Sequence, residues 1–105
     1  MAYELRFFFD AGSGICLWSG NAEARERFGY PVDHRTLPLS ENTQRFLTHL
    51  MAWYDTSIDW SDPGGTEDFW TREELARFAA EATKGLQRVR QELPAGFIVT
   101  DDRKT

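Results

Sequence analysis

Apolar and polar positions alternate at the start of the chain. Tyr3, Leu5, Phe7 and Phe9 fall on one face of an extended segment, and Glu4, Arg6, Phe8 and Asp10 on the other. That period of two predicts a half-buried β-strand over residues 3–10. Ala11-Gly12-Ser13-Gly14 follows, a turn with two glycines free to take positive φ. Ile15-Cys16-Leu17-Trp18 then reads as the returning strand of a β-hairpin.

The period changes after Gly20. Asn21 is suited to cap a short helix over residues 22–28, closed by Gly29 with Pro31 beyond it. Residues 30–39 hold two prolines and read as an extended loop. Ser40 caps a second helix with Glu41 in its first turn, where the dipole favours an anion. Phe46, Leu47, Leu50, Met51 and Tyr54 share one side of it, and it is expected to end near residues 55–57. A long loop through Pro63-Gly64-Gly65 leads to Thr71-x-x-Glu74, a capping box. Leu75, Phe78, Ala79, Ala82, Leu86, Val89 and Leu93 then form one apolar stripe, stopped by Pro94 and Gly96. Gly85 inside it costs about 1 kcal/mol against alanine, a cost that close approach to a neighbouring element would offset. Phe97-Ile98-Val99-Thr100 is a last strand and residues 101–105 a frayed polar tail.

The order β-β-α-α-α-β predicts an α+β fold: a three-stranded sheet with the helices packed on one face. The last strand is expected beside the first, with pairing beside the second strand as the alternative. At 105 residues the chain has the length of one globular domain, 1–105.

Composition narrows the function. A hydrophobic share of 41% with 14% aromatic residues supports a packed core rather than a disordered chain. A net charge of −5 argues against a nucleic-acid binder held by phosphate contacts. Phe7-Phe8-Phe9, ended by Asp10, is too short an apolar run for a signal peptide, and no stretch is long enough to span a bilayer. A cytoplasmic protein is expected. Cys16, alone and set in an apolar segment, is expected to be buried and inert.

The acidity is concentrated. Residues 55–74 carry seven acids and one base, a net −6, while the remainder of the chain carries ten acids and eleven bases. The same window holds Trp60, Phe69 and Trp70, with Trp53 and Tyr54 just before it. Interleaved acids and large aromatics suit a protein interface, in which the rings anchor and the charges steer. A packing role competes with that reading. Glu67, Asp68, Glu73 and Glu74 lie in or near the first turn of the third helix, where acids favour the dipole without a partner.

Catalytic and metal motifs are not supported. Residues 55–59 begin like a calcium loop, yet Trp60 stands where glycine is needed and Thr66 where glutamate is needed. Gly12-Ser13-Gly14 leads into a strand and not a helix N-terminus, so a hairpin turn accounts for it. His34 and His49 have no partners at metal-ligand spacing; His34 is expected in solvent and His49 at the helix surface. Arg77, Lys84 and Arg88 form a solvated face of the third helix, with Glu73 and Arg77 as an i,i+4 pair. No cofactor is expected.

Phe9-Asp10-Ala11-Gly12-Ser13-Gly14-Ile15-Cys16-Leu17-Trp18, Phe28-Gly29-Tyr30, Leu37-Pro38-Leu39-Ser40 and Trp53-Tyr54-Asp55-Thr56-Ser57-Ile58-Asp59-Trp60 resemble small cytoplasmic proteins of actinobacterial type. No activity attaches to that group, so the resemblance implies a bacterial cytoplasmic origin and nothing about catalytic residues. In size and charge the chain is also similar to toxin-immunity proteins, an analogy and not a motif match.

The expectation is a binding module that neutralises or regulates a basic partner protein in the manner of an immunity protein, with enzymatic activity left open. Asp55, Asp59, Trp60, Asp62, Glu67, Asp68, Phe69 and Trp70 would form the docking surface. The alternative is a small-molecule binder or small enzyme with a pocket between the hairpin and the 55–70 loop, drawing on Asp10, Trp18, His49 and Asp55.

Overall fold

The computed structural model describes residues 2–62 and 69–103. Among them the elements run β1 (Tyr3–Phe7), β2 (Leu17–Ser19), α1 (Ala22–Phe28), β3 (Pro31–Val32), a single 3-10 turn (His34–Thr36), α2 (Glu41–Asp55), α3 (Arg72–Glu92) and β4 (Phe97–Asp101). The fold is α+β, with a mixed sheet in the order β3-β2-β1-β4.

That sheet has four strands where the hydrophobic pattern predicts three. The added strand, β3, is two residues long and pairs antiparallel with β2, Leu17 opposite Val32 and Trp18 opposite Pro31. It lies in the predicted loop. Proline is tolerated there because it opens an edge strand, where the N–H it lacks is not needed by a neighbouring strand. β1 pairs antiparallel with β2 and parallel with β4, so the Phe-rich strand is central as expected. A parallel neighbour requires a crossover, which the helical segments between β1 and β4 supply.

Alternation in β1 sets the two faces. Leu5, Phe7, Leu17 and Val32 are fully buried and Val99 is buried beside them, against Leu47, Leu50, Phe78, Ala82, Leu86 and Val89 of α2 and α3. α1 adds Ala24 to the same core, and its Phe28 meets Tyr3 and Phe97 edge-on or tilted. On the opposite face Glu4, Arg6 and Ile98 are exposed, while Trp18 is covered by the stacked ring of Phe8 and by Tyr30. β1 ends three residues earlier than predicted, yet Phe9 still points to the helices and packs on Phe7, Tyr54 and Phe78.

The helix ends follow their capping residues. The side chains of Asn21, Ser40 and Thr71 accept the N–H groups of Ala24, Thr43 and Glu74. Gly85 is where α2 and α3 touch: a Cβ there would lie 2.8 Å from Leu50 Cδ1. Leu50 is itself fully buried, so the glycine serves close approach. Glu92, at the end of α3, ties the start of α2, its carboxylate accepting from Ser40 N at 2.6 Å and from the hydroxyls of Ser40 and Thr43. Those bonds, the Thr43 hydroxyl first, hold its pKa below the ordinary glutamate value.

Three local expectations are corrected. Residues 101–103 do not fray: Asp101 is the last residue of β4, and Arg103 donates to Ala79 O at 3.2 Å and Thr83 Oγ1 at 3.0 Å while pairing with Asp101. Glu73 and Arg77 form no ion pair; on that helix Lys84 pairs with Glu81, and Arg88 lies over the Phe46 ring. His34 is buried rather than solvated. Its Nε2 lies 3.1 Å from Gln44 O and 3.0 Å from Thr48 Oγ1. A carbonyl only accepts, so Nε2 carries the proton.

Burial lowers the His34 pKa below its ordinary 6.5, against the opposing pull of Asp33. The unfolded chain therefore takes up that proton more readily. The stability owed to neutral His34 is whole above pH 6.5 and is lost as pH falls from 6.5 through the lower folded value. The urea midpoint is expected to hold steady from pH 8 to 7 and to begin to decline as pH falls below about 6.5, above the range in which carboxylates titrate. His34→Gln, which retains an N–H for the Gln44 carbonyl, should flatten that decline. An equal slope in both proteins would assign it elsewhere.

Candidate functional site

Four segments meet at the end of the sheet where β1 and β4 finish: the turn after β1, the end of α2, the residues just beyond it, and the start of α3. Hydrogen bonds join them. Asp55, the last residue of α2, accepts Gly12 N on Oδ1 at 2.8 Å, which fixes the turn to the helix. Trp60 donates Nε1 to Asp55 O at 2.9 Å and lays its ring on the same turn. A Cβ on Gly12, already at φ +82°, would lie 3.1 Å from Trp60 Cη2. Gly12 is needed for both reasons.

Beneath this surface the aromatic residues form a cluster. Phe78 is buried and touches Phe9, Trp53, Tyr54 and Trp70 at centroid distances of 5.0–5.5 Å. Trp70 donates Nε1 to Thr56 Oγ1 at 2.8 Å, and Trp53 Nε1 points at the Glu74 carboxylate. Glu74 therefore completes the capping box on one side only: its N–H meets Thr71, while its carboxylate turns to the indole.

The predicted docking residues separate into three groups. Trp60 and Phe69 stand out of the surface, 56% and 64% exposed. Asp59 and Asp62 lie beside Trp60 in sequence, Asp62 exposed and Asp59 half-buried. Asp59 accepts Ser61 N and Oγ, and these bonds, the hydroxyl first, keep its pKa below the usual aspartate value. Asp55 and Trp70 are engaged inside the molecule, on Gly12 and on the aromatic cluster. Glu67 and Asp68 lie outside the described residues.

Two cavities flank the site. One, of about 430 Å3, is walled by Phe8, Phe9, Asp10, Tyr54, Leu75 and Phe78, with Arg6, Asp102 and Arg103 along one side. The other, of about 450 Å3, lies on Ser13, Gly14 and Ile15 opposite His34, Thr48 and Asp55. The four residues considered for a small-molecule pocket do not converge. Asp10 lines the first cavity and Asp55 the second. Trp18 is packed on the open sheet face, and His49 is exposed on α2 beside Trp53. Among the described residues no three His, Cys, Asp or Glu side chains gather as metal ligands. Cys16 is buried, with its thiol pushed up to about 12, a poor nucleophile.

Leu75 was missed as a surface residue. It opens the apolar stripe of α3, yet it is 44% exposed at the rim of the first cavity. Helical periodicity identifies a stripe but not where along it the neighbouring layer ends.

Residues 4–101 match the family described as Serratia CdiI immunity protein-like. The chain belongs to this family. No curated protein matches it significantly. Membership in an immunity-protein family carries a protein-binding role, with a toxin as the bound partner. The match speaks to the immunity analogy drawn from size and charge and is silent on an actinobacterial origin. Among the described residues no helix is long and apolar enough to cross a membrane.

Proposed function

We propose that this CdiI-like chain neutralises a basic toxin partner by docking the acidic, aromatic surface at the end of α2 onto it. Trp60 and Phe69 are the anchors and Asp59 and Asp62 the steering charges; Glu67 and Asp68, outside the described residues, add to the acidic charge of the sequence window. The observation that carries the reading is the exposure of Trp60 and Phe69, 56% and 64%, in a protein whose other tryptophans are engaged internally. Large rings left in solvent next to like charges are costly unless a partner covers them.

Asp55 and Trp70 act from behind the surface. Asp55 holds the turn at Gly12, and Trp70 holds the start of α3 to Thr56. Their replacement would loosen the platform rather than remove a contact with the toxin.

Capture from native lysate with the wild-type chain, read by mass spectrometry, should return a stoichiometric basic protein. The doubly substituted Asp59→Asn/Asp62→Asn chain should then bind that protein about fivefold more slowly at low salt and equally fast at 0.5 M salt, as expected for steering charges. Asparagine at position 59 keeps a side-chain oxygen for Ser61, so the turn is preserved. Unchanged association at low salt would sink the steering role.

A further inference from the structure

The first cavity has walls and charges that the docking surface does not use. Phe8, Phe9, Tyr54 and Phe78 supply aromatic faces around about 430 Å3. Its cations are already committed. Arg6 is bonded to Asp102, and Arg103 to Asp101, Ala79 O and Thr83 Oγ1. Asp102 is matched by Arg6. That leaves Asp10, an exposed carboxylate that makes no side-chain hydrogen bond or ion pair among the described residues.

We propose that this cavity receives an arginine side chain of the toxin partner, its guanidinium on the Asp10 carboxylate and its plane against the aromatic wall. The inference rests on the protein-binding reading above and names the chemistry of a second contact beside it. An apolar side chain seated here would bury the Asp10 carboxylate without a partner, which is costly. An anion would face Asp10, the one wall carboxylate without a counter-charge among the described residues. A cation pairs with it and gains from the rings. Arginine fits better than lysine because its planar fork can stack on a ring and pair with a carboxylate at once.

The test needs no toxin, so its failure is distinguishable from failure of the docking surface. The 15N-labelled full chain is titrated with N-acetyl-arginine methylamide and, separately, with its neutral citrulline counterpart. The arginine probe should shift the amides of Phe9, Asp10, Leu75 and Phe78 and bind about fivefold more tightly than the citrulline probe, the size of one exposed charge pair with a cation–π contact. Asp10→Asn should bring the arginine probe down to the citrulline level. Leu75→Lys, at an exposed position that tolerates substitution, should repel it. Equal affinity of the two probes for the wild-type chain, shifts confined to residues 55–62, or no effect of Asp10→Asn would each overturn the proposal. Arginine binding at Asp10 alongside an unaltered Asp59→Asn/Asp62→Asn association with the toxin would uphold the cavity and reject the steering charges.

Discussion

Replacing Phe78 with alanine is expected to remove about 3–5 kcal/mol of folding stability, a large part of the roughly 5–15 kcal/mol available to a domain of this size. The reason is its position. Phe78 is 4% exposed and is the one ring that touches β1's continuation at Phe9, α2 at Trp53 and Tyr54, and the approach to α3 at Trp70. Its loss leaves a cavity that four stiff neighbours cannot fill by rotating a side chain. In urea denaturation the midpoint should fall by about 2 M, since slopes for small proteins run near 1–3 kcal/mol per M. Phe78→Leu should restore roughly half of the loss, because volume returns without the ring contacts. An alanine variant with an unchanged midpoint would show that the cluster is held by its remaining members. Phe78 also walls the first cavity, so the leucine variant is the one to use when stability and arginine binding are measured together.

The sequence made the regular elements legible because their signals are local. Alternation over Tyr3–Phe7 and the caps at Asn21, Ser40 and Thr71 place β1 and the three helix starts. Gly85 was legible as an anomaly in a helix, and its reason is the facing Leu50. What escaped depends on contacts distant in sequence. β3 is two residues with a proline, too short for any periodicity, and it exists because β2 offers an edge. The burial of His34 is decided by Gln44 and Thr48 on the next helix, and the order of residues 101–103 by the Ala79 carbonyl. The proposed docking surface was legible only as composition, acids among aromatics over residues 55–74. Its division was not. Outside a helix no period says that Trp70 turns inward to Phe78 while Phe69 turns outward, and neither does it single out Asp10 as a carboxylate without a partner among the described residues.

The Trp60→Ala/Phe69→Ala chain is expected to lose at least a hundredfold in affinity for the toxin. Truncating a buried aromatic hot spot typically costs about 2–4 kcal/mol, and two of them on one interface exceed the roughly 2.7 kcal/mol that a hundredfold represents. The loss should lie in the dissociation rate, because anchors hold a complex once formed, whereas Asp59 and Asp62 govern the approach. Folding should be nearly untouched by the Phe69 change, given that side chain's exposure. Trp60 is different, since its indole also donates to Asp55 O and covers Gly12. Trp60→Phe separates the two roles: it keeps a ring for the toxin and removes the N–H bond to the turn. If affinity survives in the phenylalanine variant and collapses in alanine, the ring is the anchor. If both variants lose the turn and bind equally poorly, Trp60 clamps the hairpin to α2 and the toxin reads some other part of the surface. A double alanine variant that binds as tightly as wild type would place the immunity interface away from the end of α2 altogether.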